Sequence, residues 1–306
     1  MPNEAYEPDV EQLERWFREA LPLPGHLEPR FEEALRHLLR HPGSMVRPRI
    51  VYQVASAYGM QEQNAMNLAV ALEYFHTASL VFDDLPCMDN ADSRRGAPCV
   101  HLRFGQAGAI LAALALVNRA YALTWSAIAA SAHRAQHNAM QYLEKNLGVE
   151  GLLNGQSLDL NYSHLPHDQE TTARVACGKT VSLIRLTLVL PAMLGGAGPR
   201  EVQLFERIAR CWGLSYQIVD DLKDVLQSSR ESGKTAARDQ HLDRPNIALT
   251  IGVPDAVARL ARLIDAGDAT LQKLLTIRPN LAFLARLRAD LNVELNRVTA
   301  NASAGR

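Results

Sequence analysis

The chain has 306 residues, 47% of them hydrophobic, with 32 basic and 33 acidic side chains and a formal net charge of −1. Such a length and composition allow a substantial buried core, and no compositional break demands more than one domain over 1–306. The balanced charge argues against nucleic acid or an anionic membrane surface as the main partner, since such binders carry a basic excess.

Residues 1–25 read as an irregular N-terminal segment holding one short helix, Val10 to Ala20, stopped by the prolines of LPLPG. The first twenty residues contain no apolar leader core, and Cys87, Cys99, Cys177 and Cys211 show no CxxC spacing. A reduced, cytoplasmic setting is therefore expected. Phe31 to Arg40 reads as a helix with Phe31, Leu35, Leu38 and Leu39 on one stripe, and HPG at 41–43 breaks it. Arg47 then opens the next helix, where the backbone dipole favours a bound anion.

Beyond Pro48 the pattern is helical at 48–58, 62–83, 105–131, 134–147, 148–160, 169–195, 199–227, 245–252 and 254–300, the last split near Pro279. Period-two alternation flanked by hairpin turns is missing, so the expected class is all-α, a single bundle of long helices around a central cavity. The apolar runs near 68–82, 107–117 and 183–195 each fall short of about 18 uninterrupted apolar residues, so buried helices are expected rather than membrane spans. Longer connections fall at 84–104, 161–168 and 228–244.

Two of those connections follow acidic clusters that each end an apolar run: Asp83, Asp84 and Asp89 in FDDLPCMDN, and Asp220, Asp221 and Asp224 in YQIVDDLKDV. Uncompensated like charges at such places repel and cost desolvation free energy unless a cation neutralises them. Magnesium fits, because it takes few protein carboxylates and completes its shell with waters or phosphate oxygens. Asp220 and Asp224 share a helical face, whereas Asp221 lies about 100° round and suits a supporting role. Asp83 and Asp84 are adjacent, so one of the two is expected to join Asp89 as a direct ligand.

These clusters, with GSMVRP at 43–48, EYFHTASL at 73–80, RRG at 94–96, GQSLDL at 155–160, GKT at 178–180 and GKTAARD at 233–239, resemble the trans-isoprenyl diphosphate synthases. The resemblance covers most of the chain and implies a magnesium-dependent prenyltransferase, with three magnesium ions per site, acting as a homodimer. It implies that Arg94, Lys179 and Lys234 hold an allylic diphosphate, and that Arg47, His76 and Arg95 hold isopentenyl diphosphate. Ser44 stands where the family carries a lysine, and Met45 where many relatives carry arginine. Thr180 and Gln217 match positions near the reacting carbons, and Gln156 and Asp159 match a motif bordering the cavity. His76 lies seven residues before Asp83, about two turns, and so on nearly the same face.

In the reaction so implied, the allylic diphosphate leaves, the double bond of isopentenyl diphosphate attacks, and a proton is lost to the departing diphosphate. Product length follows from what blocks the cavity along the first aspartate helix. Ala78, Phe75 and Ala71 lie five, eight and twelve residues before Asp83 and share one face. Alanine at 78 opens the upper cavity and Phe75 forms a floor about 12 Å below the cluster, which favours a twenty-carbon product, geranylgeranyl diphosphate, over fifteen carbons. The rivals are a farnesyl diphosphate synthase, a weakly active partner subunit motivated by Ser44 and Met45, and a class I terpene cyclase. Three aspartates in the second cluster favour the prenyltransferase over the cyclase.

Overall fold

The computed structural model describes residues 8–226 and 244–288, and the fold is all-α. Lys234, the GKTAARD stretch and the end of the last predicted helix lie outside the described residues. The described residues divide into two compact units, 8–140 with Pro191–Gly196, and Gln141–Leu190 with 197–226 and 244–288.

In the first unit α1 (Val10–Glu19) starts at Asp9, whose carboxylate accepts from the Gln12 amide at 2.7 Å. Its buried Leu13 and Phe17 meet α4 (Glu62–Asp83), where the Tyr74 hydroxyl donates to the Phe17 carbonyl at 2.5 Å. The helix α2 (Pro29–Arg40) is capped by the Glu28 carboxylate, and α3 (Val46–Ala57) follows Met45, which has left-handed backbone at φ 54°. The run that makes α4 is apolar on nearly every side and is buried on nearly every side, as such a helix must be. Its main partner is α5 (Val100–Ala129), interrupted at Gly105, where φ 77° and ψ 164° leave the helical region. Only glycine tolerates that conformation cheaply.

Between α4 and α5 lies a feature the sequence reading missed, a two-residue antiparallel ladder of β1 (Ser93–Arg94) and β2 (Ala97–Pro98). Its turn residues, Arg95 at φ 55° and Gly96 at φ 76°, are both left-handed, the requirement of a type I′ hairpin. Two residues per strand are too few for any alternation to register in sequence. The helix α6 (His133–Leu147) then leads into the second unit.

That unit contains α7 (Leu152–Leu160), α8 (Gln169–Ala176), α9 (Ser182–Leu194) as far as Leu190, α10 (Pro199–Leu226), α11 (Ile247–Ile251) and α12 (Val253–Ile277). Its core is built largely by α10 on α12, with Leu222, Ile247, Ala256 and Leu260 in one apolar cluster. The predicted continuous helix over 169–195 is broken in register: residues Cys177–Val181 form a π-helical segment between α8 and α9. Single π turns inside helices occur frequently at functional sites. The predicted start at 148 is also corrected, since α7 begins at Leu152.

Among the described residues two stretches, Val100–Ala129 and Gln169–Leu194, are long and apolar enough to cross a membrane, which the count of uninterrupted apolar residues did not anticipate. Isolated polar residues interrupt the runs without lowering their mean hydropathy below the spanning range. In the second stretch 67% of the apolar window is buried inside the protein, as in a core helix.

Candidate active site

The first acidic cluster sits where α4 ends. Asp84 caps the helix, and the loop curls back so that the Asp89 amide donates to the Asp83 carbonyl at 2.9 Å and the Ala91 amide to the Asp84 carbonyl at 3.2 Å. Asp84 is buried, 4% exposed, and receives the Arg94 guanidinium through Nη2 at 2.5 Å and Nε at 3.1 Å. Asp83 and Asp89 are half-buried. Thus Asp84 anchors the hairpin that carries Arg94, a job the sequence did not reveal. The neighbouring Cys99 thiol is pushed up to about 12 by burial and by Asp84, so it stays protonated.

One turn of hairpin further, Arg95 points the other way along α4. Its guanidinium donates to the Glu73 carboxylate at 2.9 Å, to the Thr77 hydroxyl at 3.2 Å and to the His41 carbonyl at 3.4 Å. Glu73 is 2% exposed, and burial raises its pKa against the pull of Arg95 and Arg47. Gly43 makes room for this arrangement, since a Cβ there would stand 2.6 Å from Arg95 Nη2.

Arg47, from the first turn of α3, donates through Nη1 to His76 Nε2 at 3.1 Å. Arginine has no acceptor, so Nε2 of His76 must accept and the ring proton resides on Nδ1. Burial, then Arg47, Arg95 and Arg94, hold the imidazole well below its ordinary value of 6.5, so it is neutral. Both His76 Nδ1 and Arg47 Nε are shielded from solvent without a hydrogen-bond partner among the described residues. Two buried donors beside Arg95 lack only an acceptor, and an anion is the acceptor that three neighbouring arginines favour. Ser44 is exposed next to them, and Met45 is not at the surface at all, being 2% exposed in the core.

In the second unit the motifs GQSLDL and GKT lock together through their glycines. A Cβ on Gly155 would lie 2.3 Å from the Lys179 nitrogen, and one on Gly178 would lie 2.6 Å from the Gly155 Cα. The π segment therefore packs backbone to backbone on α7. Lys179 donates to Asp159 Oδ2 at 2.7 Å, and Arg244 donates to the Asp159 carbonyl at 3.0 Å. The Thr180 hydroxyl donates to Gln217 Oε1 at 2.7 Å, and Gln217 Nε2 donates to Asp221 Oδ1 at 2.8 Å. Asp221 is 1% exposed, and its other oxygen accepts from the Ile247 amide at 2.7 Å. Asp221 thereby ties α10 to α11, while Asp220 and Asp224 are half-buried on the helix.

In each acidic cluster one buried aspartate, Asp84 or Asp221, is tied to a neighbouring protein group. Among the described residues no group of three His, Cys, Asp or Glu side chains stands assembled for a metal. The donor set still suits magnesium, which needs only one or two carboxylates beside phosphate oxygens and water.

Ala71, Phe75 and Ala78 are all buried on α4, at 0%, 5% and 1% exposure. Phe75 is met edge-on by Tyr121 of α5. Sequence reasoning missed Glu73, Gly43, Tyr121 and Arg244. Only Glu73 carried a usable signal: with His76 and Thr77 it forms a polar stripe at helical spacing on an otherwise apolar helix.

Residues 28–274 match the family profile described as polyprenyl synthetase. The chain is 38% identical over 232 residues to a chloroplastic geranylgeranyl pyrophosphate synthase of Capsicum annuum, covering 76% of this chain and 63% of that protein. It is 36% identical over 248 residues to geranylgeranyl pyrophosphate synthase 4 of Arabidopsis thaliana, covering 80% and 65%. The chain therefore spans somewhat less than two thirds of the length of these curated relatives. Among solved structures it is similar to an FPP/GFPP synthase from Zymomonas mobilis, with TM-score 0.74, 28% identity and coverage of 91% and 95%. A geranyltransferase from Helicobacter pylori, complexed with magnesium and isoprenyl diphosphate, gives TM-score 0.77 at 25% identity, with 95% of each chain covered.

Proposed function

Because the chain belongs to the polyprenyl synthetase family, we propose that it is a magnesium-dependent trans-prenyltransferase that condenses isopentenyl diphosphate with an allylic diphosphate. The observation that carries this reading is the pair of buried, unsatisfied donors, His76 Nδ1 and Arg47 Nε, beside the Arg95–Glu73 ion pair. Neutral histidine among arginines offers a proton to a phosphate oxygen without adding charge of its own.

Arg47, His76 and Arg95 would bind the diphosphate of isopentenyl diphosphate, and Glu73 would hold Arg95 in place for it. Arg94 and Lys179, with Lys234, would bind the allylic diphosphate. Asp83, Asp89, Asp220 and Asp224 would hold magnesium, which when bound supplies Lewis-acid neutralisation of the leaving group. Asp84 and Asp221 would act through Arg94 and Gln217. Oxygens of Thr180 and Gln217 would lie toward the carbon that becomes electron-poor as its diphosphate departs. The π segment is the local device that turns Lys179 and Thr180 in their separate directions, one to Asp159 and one to Gln217.

The product we favour has twenty carbons: Ala78 is too small to block the chain and Phe75, buttressed by Tyr121, is the first large side chain below it. A cytoplasmic homodimer joined through α5 completes the proposal, supported by exposed Ile110, Leu111, Leu114 and Trp125 on that helix.

The test is a mass-spectrometric product assay with magnesium and isopentenyl diphosphate, offering dimethylallyl, geranyl and farnesyl diphosphates separately. A ladder ending at twenty carbons is expected. An end at fifteen keeps the reaction and moves the floor upward, while no condensation with any starter overturns the reading.

A further inference from the structure

A cavity of about 230 Å³ is lined by Gly155 and Gly178 together with residues that the proposed reaction does not use. Its walls bring Lys145 from α6, Arg174 from α8 and Arg185 from α9 around the backbone of Gly151, Gly155 and Gly178. Glu150 is the one carboxylate in the wall, and Arg185 is paired outside it with Glu206 at 2.9 Å. Lys145 and Arg174 make no ion pair among the described residues, and both are exposed, so neither is committed to holding the fold. Two cations without an ion pair among the described residues, Lys145 and Arg174, and a third already paired with Glu206, face one wall carboxylate in a recess lined in part by glycine backbone, which makes it a pocket for a small polyanion.

We propose that this cavity is a second anion site of the protein, selective for a diphosphate group and distinct from the site that carries out the reaction. Its position gives it a means of acting. Cys177 and Gly178 line it, and they are the first two residues of the π segment that delivers Lys179 and Thr180. Ser182, also in the wall, donates from its hydroxyl to the Cys177 carbonyl at 3.3 Å, spanning the same segment. An anion drawn in by Lys145 and Arg174 would therefore press on the segment whose register sets the direction of Lys179. Free inorganic diphosphate and the head of a prenyl diphosphate share the recognised chemistry, and the largely polar lining, with Leu158 as its one aliphatic side chain, favours the inorganic ion.

Calorimetric titration of the full chain with inorganic diphosphate in EDTA tests this, alongside geranyl diphosphate as the lipid-bearing probe. Binding of inorganic diphosphate is expected, weakened about tenfold by each of Lys145→Gln and Arg174→Gln and retained in Lys179→Ala. In wild-type protein the same ligand should slow alkylation of Cys177 by iodoacetamide, read by peptide mass spectrometry. Loss of binding in Lys179→Ala with none in Arg174→Gln would return the anion to the reaction site and overturn the proposal. Unslowed alkylation of Cys177 at saturating diphosphate would overturn it as well. Tighter binding of geranyl diphosphate, with the same dependence on Arg174, would keep the site and assign it to the prenyl product.

Discussion

Tyr121 on α5 meets Phe75 on α4 edge-on, with ring centroids 4.9 Å apart and planes inclined at 77°. That geometry is the favourable one for aromatic pairs, worth roughly 0.5–1.5 kcal/mol beyond the area buried. It fixes the Phe75 ring across the helix face that also carries Ala71 and Ala78. Product length should therefore depend on both rings. Phe75→Ala is expected to shift the main product beyond twenty carbons, and Tyr121→Ala to broaden the distribution upward by freeing the Phe75 ring. Ala78→Phe should shorten it to fifteen. Chromatography of the dephosphorylated products reads all three, and an unchanged length in Phe75→Ala would remove Phe75 as the floor.

Gly43 packs against Arg95 and Ser44 stands three residues before Arg47, both residues of the proposed isopentenyl diphosphate site. A methyl group at Gly43 would meet the Arg95 guanidinium at 2.6 Å, and Arg95 cannot swing away without leaving Glu73. Gly43→Ala should raise KM for isopentenyl diphosphate while sparing that for the allylic substrate. Ser44→Lys adds a cation at an exposed position beside Arg47, and one charged hydrogen bond should lower the same KM by roughly ten- to a hundredfold. An equal change in both Michaelis constants would show that these positions act on the fold instead.

The sequence made the helices legible because apolar spacing and two acidic clusters are written locally. It also marked the two acidic clusters, Asp83, Asp84 and Asp89 and Asp220, Asp221 and Asp224, as candidate metal ligands, without saying which of Asp83 and Asp84 would join Asp89. What it concealed are relationships across distance: Asp84 with Arg94, Glu73 with Arg95, and Asp221 with Ile247. No local pattern states which of two adjacent aspartates will turn inward. The π segment was hidden for a similar reason, since its cause is a contact between Gly155 and Gly178, 23 positions apart.

That contact makes a sharp prediction. Ala at Gly155 would drive its methyl to within 2.3 Å of the Lys179 backbone nitrogen, and backbone cannot be repacked by rotating a side chain. Gly155→Ala should cost a few kcal/mol of stability, of the order seen for overpacking. In whatever fraction stays folded it should lower kcat through Lys179 and Thr180. Thermal unfolding and single-turnover rates separate the two effects, and a variant with wild-type Tm would mean the helices part without consequence.

Stability should fall on mild acidification. His76 and His37 both titrate below the ordinary 6.5, each first because of burial. As pH drops through 6.5, the unfolded chain takes up protons that these folded imidazoles refuse. The unfolded state then binds more protons, and stability falls by up to about 1.4 kcal/mol per pH unit for each group. Glu73 works oppositely, because its raised pKa favours the folded state just above 4.5. The readout is thus the difference between wild type and His76→Gln: the variant should lose less stability between pH 7 and 5.5. Parallel pH profiles would mean that His76 titrates in the fold as it does in the unfolded chain.

The outer face of α5 decides how the chain is presented in solution. Ile110, Leu111, Leu114, Tyr121 and Trp125 are 39%, 54%, 50%, 47% and 56% exposed, all on one helix that is apolar enough to span a bilayer. So much apolar surface on one element marks an interaction site. A second copy of the chain would cover it and would bring two Tyr121 side chains, and hence two Phe75 floors, close to the same seam. Light scattering of the purified protein should give a dimer, and the double variant Leu111→Glu, Leu114→Glu should give a monomer with altered product length. A wild-type monomer that sediments with lipid vesicles would instead assign the stripe to a membrane surface, and the floor at Phe75 would then have to stand without a neighbour.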